Sequence, residues 1–211
     1  MTTKSRETIL KKIRKALSQK VPIPFPQSDH IANHFSKSTQ DLELEFAENF
    51  SKLQGKFSYC VNTQELYQQL HLLISAKTWT KIFCPDTKIR AVIEKIGMSD
   101  FLTDDLANCD ASITGCESLV ARTGSIVLTS AQSDGRNGSV YAPVHVCIAF
   151  HNQLLYDLEE SLTKMTTKYK RHLPSLITFA TGPSRTADIE KTLVVGVHGP
   201  KEVFCFFVDE Y

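Results

Sequence analysis

Apolar and polar residues alternate along the chain with two periods, one typical of helices and one of strands. Before residue 56 the period is helical, and it predicts helices over residues 6–17 and 41–53. Between them, prolines at positions 22, 24 and 26 predict an extended linker, because proline is incompatible with a helix interior. We therefore expect an N-terminal amphipathic helix with a Pro-rich linker over residues 1–26, followed by a single domain over residues 27–211.

From residue 56 onward, short apolar runs alternate with segments whose apolar residues recur every three or four positions. The runs predict strands at 56–61, 81–85, 111–114, 124–130, 144–150, 175–180 and 202–208. Strands and helices that alternate in this way predict an α/β fold, with a mostly parallel sheet and helices on both faces. Within the run 144–150, the period of two places Val144, Val146 and Ile148 on one face of the sheet and His145, Cys147 and Ala149 on the other.

Residues with capping side chains predict where the helices of this region begin and end. Thr63, Asp86 and Asp157 precede helical periods, and their oxygen atoms can accept hydrogen bonds from the first free N–H groups. Gly97 follows the second of these helices, in the position where a left-handed backbone ends a helix. We expect three helices with these boundaries.

Composition and charge exclude several classes of function. The 24 basic and 23 acidic residues nearly cancel, which argues against a nucleic-acid-binding surface. No window approaches the roughly 18 apolar residues of a membrane span. The first residues are charged and lack the apolar core of a secretory signal, so we expect a cytoplasmic protein.

The six cysteines, at positions 60, 84, 109, 116, 147 and 205, predict free thiols rather than ligands. Structural zinc and iron–sulfur sites take two or three thiolates from one short segment, and no two cysteines here have that spacing. Four of them lie in strand-like apolar runs, where a reduced cysteine packs as a small apolar residue. The sequence therefore predicts no metal site and no cofactor.

Two loop segments contain groups that suit an anion. Thr123-Gly124-Ser125 offers backbone N–H groups and hydroxyls, although a tight turn before a strand would look the same. Arg136 stands between Gly135 and Gly138, where its guanidinium can reach across a cleft to a carboxylate or phosphate. His145 follows at the start of a strand, where a catalytic role and a hydrogen-bonded core position are equally compatible with the pattern.

A third segment, residues 180–200, concentrates glycine, hydroxyl and charged residues. After a strand come Gly182-Pro183-Ser184-Arg185-Thr186 and a predicted helical turn that carries Asp188. Ser184 or Thr186 would cap that turn, and its free N–H groups with Arg185 would form an anion pocket. His198 lies between Gly196 and Gly199, which permits its presentation from a tight turn. Standard nucleotide-binding loops and the nucleophile elbow do not occur.

Together, the segments TGSIVL, Pro-Val-His, TGPSRTADIE and GVHGP resemble the LUD domain, and in particular its stand-alone members of the lactate-utilisation protein C type. The resemblance covers roughly residues 55–211. It implies a fold like those of ribose-5-phosphate isomerase and the CoA transferases, and a role in oxidising L-lactate to pyruvate beside iron–sulfur partner proteins. The signature positions it implies are Thr123, Gly124, Arg136, His145, Gly182, Ser184, Arg185, Thr186, Asp188, Ile189, His198 and Gly199.

Three hypotheses follow. The first is a cluster-free component of a lactate-oxidising system that binds a small hydroxy or keto acid at Arg136, Arg185 and the loop 182–186. The second is an independent isomerase or acyl/CoA transferase acting on a phosphorylated or CoA-linked substrate, with His145 or His198 as acid–base and Asp188 beside them. The third is an interaction subunit that docks a partner through an amphipathic N-terminal arm, residues 6–26. We favour the first, with ligand contacts at Thr123, Gly124, Arg136, Gly182, Ser184, Arg185, Thr186 and Gly199.

Overall fold

The computed structural model describes residues 3–18, 38–95, 97–132, 137–186 and 193–210. The chain divides into two units, Met1–Ser36 and Lys37–Tyr211. The first contains the helix α1 (Thr3–Leu17), which starts three residues before the predicted one. The prolines of the predicted linker lie outside the described residues.

In the second unit, helices and strands alternate much as the period of the sequence predicts. The helices are α2 (Leu42–Lys52), α3 (Thr63–Lys77), α4 (Thr87–Lys95), α5 (Gly138–Tyr141) and α6 (Leu158–Tyr169). The strands are β1 (Lys56–Cys60), β2 (Ile82–Phe83), β3 (Leu102–Thr103), β4 (Ala111–Thr114), β5 (Ser118–Val120), β6 (Ser125–Thr129), β7 (Val144–Phe150), β8 (Leu154–Leu155), β9 (Ile177–Ala180), β10 (Arg185–Thr186), β11 (Val194–Val195) and β12 (Glu202–Val208).

Six strands form a parallel sheet in the order β1-β12-β7-β4-β2-β3, which confirms the predicted α/β class. Its two longest strands, β7 and β12, are neighbours, and in this pair His145 lies opposite Val203. Because all six strands run in the same direction, their amino ends lie along one side of the sheet and their carboxyl ends along the other. We call the edge where the strands begin the amino edge, and the edge where they end the carboxyl edge.

The predicted strands 124–130 and 175–180 belong to a second sheet, in the order β8-β5-β6-β9. In it, β6 runs antiparallel to both β5 and β9. The reason lies in the connection: only residues 121–124 join β5 to β6, which is far shorter than the dozen or more residues that a parallel crossover needs. A further antiparallel pair, β10–β11, forms a small hairpin.

Apolar clusters fill both faces of the parallel sheet. Val146 and Ile148 pack with residues of α3 and α4 on one face. Cys147 and Ala149 pack on the other face with α2 and with the second sheet. The predicted distribution of the β7 side chains between the two faces of the sheet is thus confirmed. The helices α3 and α4 on one face, and α2 with the second sheet on the other, hold the parallel sheet in place.

Two of the three predicted helix starts are confirmed, and one is wrong by a residue. Oδ1 of Asp86 accepts hydrogen bonds from the N–H groups of Lys88 and Ile89, at 2.9 and 3.2 Å. Asp157 accepts one from Leu158 at 2.5 Å. The cap of α3 is Asn62 rather than Thr63, because Oδ1 of Asn62 takes the Glu65 N–H at 2.9 Å. Gly97 has a φ of 78° just after α4, as predicted for a helix end.

Among the described residues, no helix has both the length and the apolar character needed to cross a lipid bilayer.

Candidate functional site

A cleft of about 790 Å³ opens at the carboxyl edge of the parallel sheet, and we call it the carboxyl-edge cleft. Three of its walls are formed by the residues that follow β2, β4 and β7, at 86–89, where α4 begins, at 115–117 and at 152–153. The remaining walls are α6 and residues 131–132. Open α/β sheets bind their ligands at this edge, since the loops that follow parallel strands meet there.

The lining of this cleft carries more positive than negative charge. Lys88, Lys164 and Lys168 line it together with two acids, Asp86 and Glu117. Nζ of Lys164 donates a hydrogen bond to the Asn152 carbonyl at 2.8 Å, which holds this ammonium without neutralising it. Three lysines against two carboxylates leave one net positive charge, which is compatible with a monoanion.

Glu117 is buried and accepts hydrogen bonds from three side chains of the second sheet and α6. Lys168 Nζ donates at 2.6 Å, Tyr169 Oη at 2.5 Å and Thr129 Oγ1 at 3.1 Å. Burial opposes ionisation of this carboxyl, but the hydrogen bonds from Lys168 and Tyr169 outweigh it and lower the pKa of Glu117 below its usual value. The ion pair therefore persists at neutral pH and fixes Lys168 at the cleft wall.

Cys116, on the cleft lining, belongs to a buried row of thiols with Cys147 and Cys205. A hydrogen bond with Cys147 and burial together raise the pKa of Cys116 well above its ordinary value. All six cysteines are free and buried, as predicted. A protonated, enclosed thiol is a weak nucleophile, so Cys116 acts as a packing group of the cleft wall.

Most of the described residues predicted as ligand contacts lie elsewhere, in turns near the amino edge. The Lys201 N–H donates to the Pro143 carbonyl at 2.8 Å, just before β7 and β12 begin. The Ser184 N–H donates to the Pro200 carbonyl at 3.0 Å, which joins the two glycine-rich loops. We call residues 123–125, 181–186 and 196–200 the amino-edge turns. They do not line the carboxyl-edge cleft.

The glycines of these turns are required by packing. Gly124 has a φ of 60°, and a Cβ there would lie 2.5 Å from the Phe50 backbone nitrogen. Gly182 has a φ of 84° and lies against the Leu53 carbonyl. Hydroxyls of Thr123, Ser125 and Thr181 form a chain with two distances of 2.8 Å. The end of α2 thus lies directly against two of the signature segments.

Arg185 and His198 are exposed, on β10 and in the turn after β11. Arg185 pairs with Val195 across the hairpin and begins the strand β10. The predicted helical turn that carries Asp188 comes after Thr186 and lies outside the described residues. Arg136 and Asp188 lie outside the described residues. Whether the predicted cations converge in one pocket therefore stays a prediction.

His145 is a core residue in this structure, with 1% of its surface exposed. Its Nε2 lies 2.8 Å from Oγ1 of Thr114 on the neighbouring strand. Burial lowers the pKa of His145 to about 4, so the ring is neutral at pH 7. Of the two interpretations of this residue, the geometry favours the hydrogen-bonded core histidine. The segment between Arg136 and His145, which the sequence predicts to be a loop, contains the short helix α5.

Sequence reasoning missed Lys88, Lys164, Lys168 and Glu117. A weak signal exists for two of them, because Lys164 and Lys168 are four residues apart and so lie on one helix face. Nothing in the sequence near Glu117 indicates that it faces α6. Among the described residues, no group of three or more His, Cys, Asp or Glu is placed to hold a metal ion.

Several known proteins are similar to this chain in sequence. Lactate utilization protein C of Halalkalibacterium halodurans is 34% identical over 111 residues, which are 52% of this chain and 48% of that protein. The protein of the same name from Deinococcus radiodurans is 31% identical over 100 residues, 47% of this chain and 46% of that one. An uncharacterised protein of Neisseria meningitidis serogroup B is 30% identical over 118 residues, 56% of this chain and 50% of that one. The chain thus spans about half the length of the curated relatives it matches.

A solved structure, that of a DUF162 family protein from Deinococcus radiodurans, superposes with a TM-score of 0.61 at 18% identity. The match covers 79% of this chain and 96% of that one, and it shows a common fold. The sequence model of the LUD domain matches residues 44–208, which includes the parallel sheet, the carboxyl-edge cleft and the amino-edge turns. The chain therefore belongs to the LUD domain family.

Proposed function

We propose that this protein is a cluster-free component of an L-lactate utilisation system and that it binds a small monoanionic metabolite in the carboxyl-edge cleft. Membership of the LUD family and similarity to proteins named lactate utilization protein C support the metabolic role. The observation that carries the binding proposal is the excess of lysine over carboxylate in a cleft at the ligand-binding edge of the sheet.

The chemistry of the cleft suits a hydroxy or keto acid. Glu117 already engages Lys168, so Lys88 and Lys164 supply the charge for a carboxylate. Ile89 and Phe150 also line the cleft and give an apolar wall for the carbon end of the ligand. Lysine acts here as a compact point charge, which suits a carboxylate without a fixed two-point geometry.

Anion titration of the whole protein tests this proposal. Calorimetry with L-lactate and pyruvate should give saturable binding that weakens roughly tenfold or more in Lys88→Ala/Lys164→Ala, since two cations are lost. The matched control is Lys95→Ala, which removes an exposed lysine at the far end of α4. Absence of binding, or equal binding by both variants, would contradict the assignment of the cleft.

A second candidate, an isomerase or acyl/CoA transferase, is favoured by the size of the cleft. A volume of about 790 Å³ exceeds what a three-carbon acid fills and suits a ligand of drug size. Turnover or tight binding with a sugar phosphate or an acyl-CoA, and weak binding of lactate, would make this the better description. In that case the iron–sulfur partners implied by the first function would not be required.

A further inference from the structure

The helix α1 concentrates positive charge. Of the chain's 24 basic and 23 acidic residues, five basic and one acidic lie at positions 5–17, so the rest of the chain is net negative. The five are Arg6, Lys11, Lys12, Arg14 and Lys15. A basic helix on an otherwise acidic chain indicates an anionic partner for this helix in particular.

The apolar residues of α1 form a single stripe. At about 100° per residue, Ile9, Leu10, Ile13 and Leu17 fall within an arc of roughly 100°. Ile9, Ile13 and Leu17 are 56%, 48% and 78% exposed. Such aliphatic side chains gain free energy wherever water is removed from them.

The cations are placed on both sides of this stripe. By the same helical geometry, Lys12 borders it on one side and Arg14 on the other, while Lys11 and Lys15 occupy the opposite face. Arg6 falls on the stripe itself, near the helix start, where a long aliphatic stem can pack while its charged head reaches water.

We propose that α1 lies flat on an anionic lipid surface, with its aliphatic stripe in the headgroup boundary and its cations on the lipid phosphates. A strongly basic polar face, an aliphatic stripe and low mean hydropathy are the properties of interfacial helices. A protein groove is a weaker match, since lysine is depleted at protein interfaces and the stripe offers no aromatic anchor. This role is independent of the proposed ligand in the carboxyl-edge cleft.

Vesicle sedimentation with the full-length chain tests the proposal. We expect co-sedimentation with vesicles of phosphatidylglycerol and phosphatidylcholine, and none with phosphatidylcholine alone. Raising the salt from about 0.1 to about 0.5 M should release the protein, because screening shortens the range of charge attraction. Lys12→Glu/Lys15→Glu should weaken partitioning roughly tenfold or more, since each cation near an anionic surface contributes to binding.

Two further variants distinguish the contribution of the apolar stripe to vesicle binding from that of the overall charge of the protein. Ile9→Ser/Ile13→Ser keeps the charge and should also lose binding. Lys95→Glu/Arg171→Glu makes the same charge change at exposed positions outside α1 and should bind like the parent. Circular dichroism and thermal unfolding verify that each variant is folded. No sedimentation with anionic vesicles, or equal sedimentation of all variants, would overturn the proposal, and neither outcome bears on lactate binding.

Discussion

The two edges of the parallel sheet are built from sequence in opposite ways. The amino-edge turns are formed by contiguous sequence motifs, in which glycines with positive φ lie against the end of α2. The carboxyl-edge cleft is assembled from short pieces of five separate segments, none of which forms a motif. A conspicuous motif can thus specify how a backbone packs, whereas charged groups can gather in a cleft without forming a motif in the local sequence.

The edges also differ in how their polar groups are satisfied. At the amino edge, hydroxyls and backbone groups bond to one another, as in the chain from Thr123 through Ser125 to Thr181. At the carboxyl edge, Glu117 holds Lys168 in an ion pair, whereas Lys164 donates to the Asn152 carbonyl and keeps its charge available. A region whose polar groups are mutually satisfied stabilises the fold, whereas an uncompensated cation in a cleft is suited to a ligand.

The largest effect is expected from Gly124→Ala at the amino edge. A methyl group there would meet the Phe50 backbone nitrogen, in a conformation that side chains rarely adopt. We expect a loss of about 3 kcal/mol or more in the free energy of unfolding, from backbone strain and overpacking combined. Urea denaturation followed by circular dichroism measures it.

Gly97→Ala is the matched control for this substitution. Gly97 also has positive φ, at 78°, but no described residue other than its chain neighbours has an atom within 4 Å of the position of its Cβ. Only the backbone strain remains, so the loss should be about 1 kcal/mol. Similar losses in the two variants would show that Gly124 does not hold α2 in place.

An intermediate effect is expected from Glu117→Gln at the carboxyl edge. The amide cannot replace the ionised acceptor of Lys168 and Tyr169, so stability at pH 7 should fall by about 1–3 kcal/mol. Because the folded state lowers the pKa of Glu117, its contribution is present above the usual carboxyl pKa and is lost as pH falls through the lowered value. The difference between parent and variant should therefore shrink on acidification.

Denaturation curves at neutral and acidic pH measure this difference. Glu48→Gln, an exposed carboxylate on α2, is the control and should change stability little at either pH. A difference between parent and Glu117→Gln that stays constant with pH would mean that the charge of Glu117 does not matter to the fold.

Much of the fold could be predicted because it follows from local periods. The apolar run of β7 and the spacing of Leu66, Leu70 and Ile74 in α3 are direct consequences of burial on one face. The second sheet could not be predicted, since an apolar run such as β6 looks the same in either sheet. The position of β6 in the second sheet depends on its short connection to β5. The strand β5 has only three residues, too few to show an alternation of apolar and polar positions.

Less of the candidate site could be predicted, and the reason is physical. The sequence points to His145 but does not decide whether it is buried, and burial decides whether the ring is neutral. Lys88 and Lys168 are ordinary helix residues until α4 and α6 are placed around one cleft. A ligand site that combines distant segments depends on tertiary packing, and the hydrophobic period of the sequence does not indicate which distant segments will meet.

The smallest effect on stability is expected from Arg185→Ala, and it decides between the two edges as ligand sites. Arg185 is exposed on β10, so its removal should change the free energy of unfolding by less than about 0.5 kcal/mol. If the carboxyl-edge cleft holds the anion, lactate titration of Arg185→Ala should match the parent. Loss of binding with unchanged stability would move the ligand to the amino-edge turns, as the sequence motif predicts. A fall in melting temperature would instead make Arg185 a structural residue of the β10–β11 hairpin, in which it pairs with Val195.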